Sequence, residues 1–311
     1  MTPAQEGEGS APVASTFGRA PAPRVSLPVR GNFLGISWSG AEDAGSRIVA
    51  AEVECAPERI RLAKVWRPFQ ETPGRREVVE RLGGVVAEAS RWAEGRLTVA
   101  LDFPFSLAET HLRQLGLLRQ ALRGPGALGK GLEERFGGVA ADVGDAADAW
   151  RGELGKDRMR LADCFRAVGQ GPTAPRTHRR TYLGLLAMAR LEAAVLPWDG
   201  PEPGRPTVVE VHPPHVPRVL AGICGYRDDD GLARPSVRAA ILRTLRSAAR
   251  LEFEMEQAAQ IVEDGEGATL DAVLAAVAAA AAHQDGWLQV PHNAPRSEGW
   301  IYSIREEPWR G

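Results

Sequence analysis

The hydrophobic positions of the chain divide into short continuous runs and one long helical stripe. Runs at residues 33–39, 46–55, 59–66 and 97–105 are short, largely apolar and bounded by Gly, Pro or Ser, which is typical of strands. Residues 75–93 repeat apolar side chains at helical spacing, which predicts an amphipathic helix. The first three runs lie close enough together for an antiparallel meander, and the fourth joins the sheet by a crossover.

Beyond the fourth run the pattern is mostly helical. Residues 106–204 form a predicted insertion, helical over 107–122 and irregular in part over 124–155. A strand follows at 207–213. The remaining predicted elements are helices at 237–249, with Ser236 as cap, at 252–264 and from 269 onward, and a closing strand at 298–302. This order predicts an α/β fold with a mixed sheet, three antiparallel strands and then parallel ones, flanked by helices.

Composition narrows the classes of function. A net charge of −2 gives the chain no global attraction to nucleic acid or to an anionic membrane. Three widely spaced cysteines predict reduced thiols and a cytoplasmic location. Residues 1–29 are predicted to be a disordered tail, and 30–311 a single domain carrying the insertion. The longest apolar stretch, 272–282, is too short for a membrane span and predicts a packed helix.

Two of the predicted inner strands carry a carboxylate near their ends, with a proline close behind. Asp102 precedes Pro104, and Glu210 precedes Pro213. A carboxylate at this position is costly to bury unless something compensates its charge, and ligands of α/β sheets bind outside the strand ends. We therefore predict a functional site at these residues. The alternative is an acid that caps a turn or pairs with an arginine.

The insertion contains the strongest local excess of positive charge. Residues 151–190 hold nine Arg and Lys against three acids, which favours contact with phosphate groups but is equally typical of a solvated helix face. Arg176, Arg179 and Arg180 are the predicted substrate contacts, with nucleic acid as the partner. His178, between them, is expected to be a surface residue.

Two further residues have both a functional and a structural interpretation. His212 follows Glu210 by two positions and either orients a carboxylate or a phosphate, or caps the turn. Asp271 lies in the first turn of the last long helix. There it is either a site residue or, like Thr269, a helix cap.

Five short motifs carry a resemblance to a known family. They are Gly-Ile-Ser-Trp-Ser-Gly-Ala at 35–41, Leu-Asp-Phe-Pro-Phe at 101–105, Glu-Val-His-Pro at 210–213, Asp-Ala-Val-Leu-Ala-Ala at 271–276 and Glu-Gly-Trp-Ile-Tyr at 298–302. With these motifs in this order, the chain resembles the predicted RNase-H-like nucleases, a family similar in fold to RuvC-type resolvases and transposases. The resemblance covers about residues 31–305.

The resemblance implies an RNase-H-like fold and a specific chemistry. Carboxylates from the first strand, a later inner strand and a C-terminal helix meet over Mg²⁺ or Mn²⁺, and the metal assists hydrolysis of phosphodiester bonds. Asp102, Glu210 and Asp271 are accordingly the predicted catalytic residues and metal ligands.

One position departs from the family pattern. Ser37 stands in the first strand where the family has Asp, and a neutral hydroxyl replaces a bridging carboxylate poorly. Glu42 or Asp43, just beyond the turn, would have to reach back, although exposed turn positions are more typical of acids.

Two functions therefore stay open. One is a metal-dependent nuclease weakened by Ser37, and the other is a catalytically degenerate RNase-H-like module that binds nucleic acid or a nucleotide through the Arg-rich insertion. A phosphotransferase of the actin and sugar-kinase type is more distant, because it needs a second copy of the domain and phosphate-binding glycine loops.

Overall fold

A computed structural model describes residues 30–56, 59–72, 74–94, 96–138, 142–228 and 232–305. The predicted tail, residues 1–29, lies outside the described residues. The strands in the described part are β1 (Gly31–Ser37), β2 (Val49–Ala56), β3 (Arg59–Trp66), β4 (Leu97–Leu101), β5 (Ala194–Val195), β6 (Thr207–Val211), β7 (Leu251–Glu252) and β8 (Ile301–Tyr302).

These strands form one mixed sheet in the order β5-β6-β4-β1-β2-β3-β7, with β8 paired to β6. The pairs β1–β2 and β2–β3 are antiparallel, and the other pairs are parallel. The predicted α/β class, with a meander followed by parallel strands, is confirmed.

Helices cover both faces of the sheet. They are α1 (Ala44–Arg47), α2 (Arg75–Trp92), α3 (Glu109–Gln114), α4 (Leu118–Leu122), α5 (Pro125–Phe136), α6 (Val143–Leu154), α7 (Leu161–Phe165), α8 (His178–Met188), α9 (His215–Ala221), α10 (Pro235–Ala248), α11 (Met255–Glu263) and α12 (Ala268–Gln284). One face packs against α2 and the insertion helices α5, α6 and α8, and the other packs against α10 and α12.

The approach of α12 to the sheet is unusually close. Residues 268–282 of this helix are all buried, as its alanine-rich sequence predicts. A Cβ added to Gly35 of β1 would lie 2.0 Å from the carbonyl oxygen of Ala272. Glycine at position 35 therefore allows the helix backbone to rest directly on the central strand, and it fixes which face of β1 points toward α12.

Several predicted boundaries in the first half are wrong. The second strand begins at Val49 rather than at 46, because the preceding residues form α1, where Arg47 pairs with Asp43. The predicted helix over 107–122 is broken into α3 and α4. The region expected to be partly irregular, 124–155, is largely helical as α5 and α6, with the Asp142 carboxylate capping α6.

The C-terminal part shows similar differences. Helix α10 begins at Pro235, so Ser236 is not its cap. Helix α11 begins later than predicted, because Leu251–Glu252 pairs with β3 as β7. The closing strand is only β8, preceded by a 3₁₀ turn at Arg296–Glu298.

No single helix in the described residues combines the length and apolarity of a membrane span. Only α11 and α12 taken together would qualify by length and composition, and they are bent by 118° at their junction.

Candidate functional site

Asp102 and Ser37 lie side by side at the carboxyl ends of two parallel strands. Ile36 of β1 is in register with Leu101 of β4, and the Asp102 amide donates to the Ile36 carbonyl oxygen at 3.2 Å. Side chains alternate along a strand, so Ser37 shares the face of Gly35 that points toward α12. Both Ser37 and Asp102 are buried.

Asp271 approaches the same point from the first turn of α12. It is fully buried, and its two carboxylate oxygens have different partners: the Tyr226 hydroxyl donates to Oδ1, and Arg227 pairs with Oδ2. Of the two interpretations, the capping role is wrong, since Gly267 is the N-cap residue and the Asp264 carboxylate accepts from the Thr269 amide. Asp271 therefore faces the strand ends.

The insertion contributes Arg180 to this point. Its Nη1 lies 3.3 Å from Oδ2 of Asp102. Gly40 makes this approach possible, because a Cβ added there would lie 2.4 Å from the Arg180 amide nitrogen. The turn motif after β1 therefore positions the first turn of α8, and α8 in turn positions the guanidinium over the strand ends.

We name Ser37, Asp102, Arg180, Arg227 and Asp271 the carboxylate–arginine cluster. Burial raises the pKa of Asp102 from 3.8 to about 7, with Arg180 opposing the rise and the Asp271 charge adding to it. Burial also raises the pKa of Asp271, against the influence of Arg227 and Tyr226. The arginine side chains remain 21% (Arg180) and 51% (Arg227) exposed, so both are partly open to solvent.

Glu210 is not in this cluster, although it lies on the neighbouring strand. Leu101 is its register partner, so Glu210 points to the opposite face of the sheet from Asp102. There Arg160, also fully buried, donates to both carboxylate oxygens, at 2.8 and 2.5 Å, and the Phe105 amide donates at 2.8 Å. Arg160 also binds Asp163. The Glu210 carboxylate is thus fully engaged in a buried ion-pair network.

His212 lies near the cluster without belonging to the network around Glu210. Burial lowers its pKa to about 3, and Arg180 and Arg227 are among the positive charges that reinforce the effect. His212 is therefore neutral at physiological pH.

The predicted basic patch is largely neutralised. Arg179 pairs with Asp148, and Arg180 with Asp102, while Arg176 is exposed. The prediction that His178 lies at the surface is wrong: it is buried, and its Nε2 lies 2.6 Å from the Asp148 carboxylate. The structure thus brings only Arg180 of the predicted arginines to the site.

The cluster does not fit a metal ion as it is arranged. Glu42 and Asp43 are exposed, and Asp43 pairs with Arg47, so neither replaces the missing carboxylate of Ser37. Asp102 and Asp271 are each paired with an arginine. In the part of the chain that the structure describes, no group of three or more His, Cys, Asp or Glu side chains could hold a metal ion.

Sequence reasoning missed the partners that neutralise each predicted acid. Arg160 lies in the basic stretch, but nothing in the sequence distinguishes it from its neighbours as the buried one. Tyr226 and Arg227 precede α10 by several residues, in a segment without periodicity. For Asp102, the alternative interpretation, an acid at a strand end that pairs with an arginine, is correct.

Comparisons with protein families, curated proteins and solved structures find no match for this chain.

Proposed function

We propose that this chain is an RNase-H-like module that binds phosphate groups of a nucleic acid or a nucleotide at the carboxylate–arginine cluster, without a metal ion. The observation that carries the proposal is the convergence of Arg180 and Arg227 on one rim of the sheet, each still partly exposed. Ligands of α/β sheets bind at this rim, outside the carboxyl ends of parallel strands.

The charge of the cluster supports an anionic ligand. Two guanidiniums face two carboxylates, and Asp102, with a pKa of about 7, is close to half protonated at neutral pH. The net charge of these four groups is therefore positive rather than negative, which favours binding of an anion over a cation. Planar guanidinium groups bind phosphate oxygens through paired hydrogen bonds.

Fluorescence anisotropy with a labelled single-stranded oligonucleotide, in the presence of a chelator, tests this proposal. We expect Arg180→Gln and Arg227→Gln each to weaken binding about tenfold, and wild-type affinity to fall with added salt. Arg179→Gln is the matched control, because Arg179 is the neighbour of Arg180 in α8 but is paired with Asp148 instead. Asp102→Asn keeps or increases affinity, since it removes a negative charge. Affinity unchanged in both arginine variants and insensitive to salt would refute the proposal.

A second candidate is the metal-dependent nuclease, with Mg²⁺ or Mn²⁺ as cofactor. The observation that favours it is that Asp102 and Asp271 interact on the same face, with Ser37, at the end of β1, standing where the family has an acid. Metal binding requires both arginines to leave the carboxylates. Calorimetric titration with Mn²⁺ separates the candidates: tight binding by Ser37→Asp supports a decayed metal site, and no binding by either form counts against a metal role.

A further inference from the structure

Strand β3 leaves part of a sheet edge open. It spans Arg59–Trp66, but β7 pairs with it only at Ile60 and Arg61. Beyond these, the Leu62 carbonyl oxygen accepts from the Gln257 side chain. In the described part of the chain, no strand pairs with the remainder of β3 on this side. Unpaired backbone groups along an edge are a template for another strand.

The open segment has defined limits. At its start, the register with β2 shifts at Ala63, which separates it from the paired half of β3. At its end, Pro68 lacks an amide hydrogen and cannot extend a ladder. Residues 63–67 are therefore the segment that can accept a new strand, and Val65 is its midpoint.

The side chains around Val65 are complementary to the same side chains of a second copy of the chain. Lys64 and Trp66 share the face that lines a groove of about 1320 Å³ beside α2, and Val65 packs toward the other face. The Lys64 ammonium already lies 4.7 Å from the centre of the Trp66 ring. In an antiparallel pair centred on Val65, each Lys64 would stand directly opposite the partner's Trp66, which forms two cation–π contacts.

Other registers are less favourable. A pair centred on Lys64 would place two ammonium groups opposite each other, and a pair centred on Trp66 would run into Pro68. Met255, at the start of α11, is 79% exposed and lies two residues from the Gln257 contact with β3, so apolar surface continues beside the edge.

We propose that residues 63–67 pair antiparallel with the same residues of a second copy of this chain, centred on Val65. The interface is isologous and extends the sheet across a two-fold axis. Its short length places it among weak dimers rather than obligate ones. The candidate functional site lies at the strand ends beyond β1 and β4, so the dimer and the proposed phosphate binding are independent.

Sedimentation velocity of the full chain over a roughly hundredfold range of concentration tests the proposal. We expect a concentration-dependent shift from monomer to dimer. Trp66→Lys places two lysines opposite each other and weakens the dimer at least about tenfold. Leu122→Lys, at an apolar side chain of α4 that is 46% exposed, is the matched control and leaves the shift unchanged.

The exchange variant Lys64→Trp with Trp66→Lys distinguishes this register from any other. It restores a tryptophan opposite each lysine, so we expect dimerisation to return, with circular dichroism confirming that each variant is folded. A chain that stays monomeric at every concentration overturns the proposal. A dimer that survives Trp66→Lys, or one that the exchange does not restore, overturns it as well.

Discussion

Replacing Asp102 by Asn should stabilise the protein, and the gain should depend on pH. Asn resembles the protonated carboxyl in shape and keeps polar contact with Arg180, but it carries no charge into the buried strand end. The substitution therefore removes the cost of ionising a group that is only 2% exposed.

The magnitude follows from the pKa of Asp102, which rises from 3.8 to about 7 mainly because of burial. Between these values the folded protein holds a proton on Asp102 that the unfolded chain has lost, so the contribution of Asp102 to stability falls as pH rises and levels off above about 7. A rise of this size corresponds to up to about 4 kcal/mol. Asp102→Asn should match the wild type near pH 4 and exceed it by up to that amount at pH 8.

Urea denaturation followed by circular dichroism at several pH values measures the effect. Asp148→Asn is a control of opposite sign: hydrogen bonds from Arg179 and His178 lower the pKa of Asp148, so its loss should destabilise the protein at neutral pH. Equal stability of Asp102→Asn and wild type at pH 8, or a difference between the two proteins that does not grow from pH 4 to 7, would refute the reasoning.

Two further sets of substitutions probe the buried ion-pair network around Arg160 and the packing of glycines in α2 and β1. Arg160→Met leaves the Asp163 and Glu210 carboxylates buried without their guanidinium, and should cost about 3–5 kcal/mol at neutral pH and less in acid, whereas the exposed Arg179→Met should change little. An Arg160→Met protein as stable as the wild type in urea denaturation would contradict this. Gly84→Ala, on the exposed side of α2 with nothing within 4 Å of the added Cβ, should gain about 1 kcal/mol, while Gly35→Ala, 2.0 Å from Ala272, should lose stability. The reverse order would show that α12 can move away from β1.

Periodicity in the sequence was enough to predict the sheet and its main helices. The short apolar runs bounded by Gly, Pro or Ser, and the spacing of apolar residues in α2, depend only on neighbouring residues. Short elements were missed for the opposite reason. Strand β7 has two residues and exists because β3 offers an edge, and such an element carries no pattern of its own.

The predicted grouping of acids occurs only in part. Asp102 and Asp271 interact, as expected from the order of the motifs. Glu210 looked equivalent to Asp102, since both end short strands before a proline, yet one residue of register places it on the other face. Its partner Arg160 lies 50 positions away in the sequence. Contacts of this kind are set by tertiary packing, which local patterns do not encode.

The burial of α12 has a consequence for synthesis of the chain. This helix covers one face of β1 and β2, but about 200 residues separate the end of β2 from its first turn. At typical translation rates the early strands wait about 10 to 40 seconds for the helix that shields them. During that interval the side chains of Phe33 and Val53 lack the packing that α12 provides. The nascent chain should therefore depend on chaperones until its last third has left the ribosome.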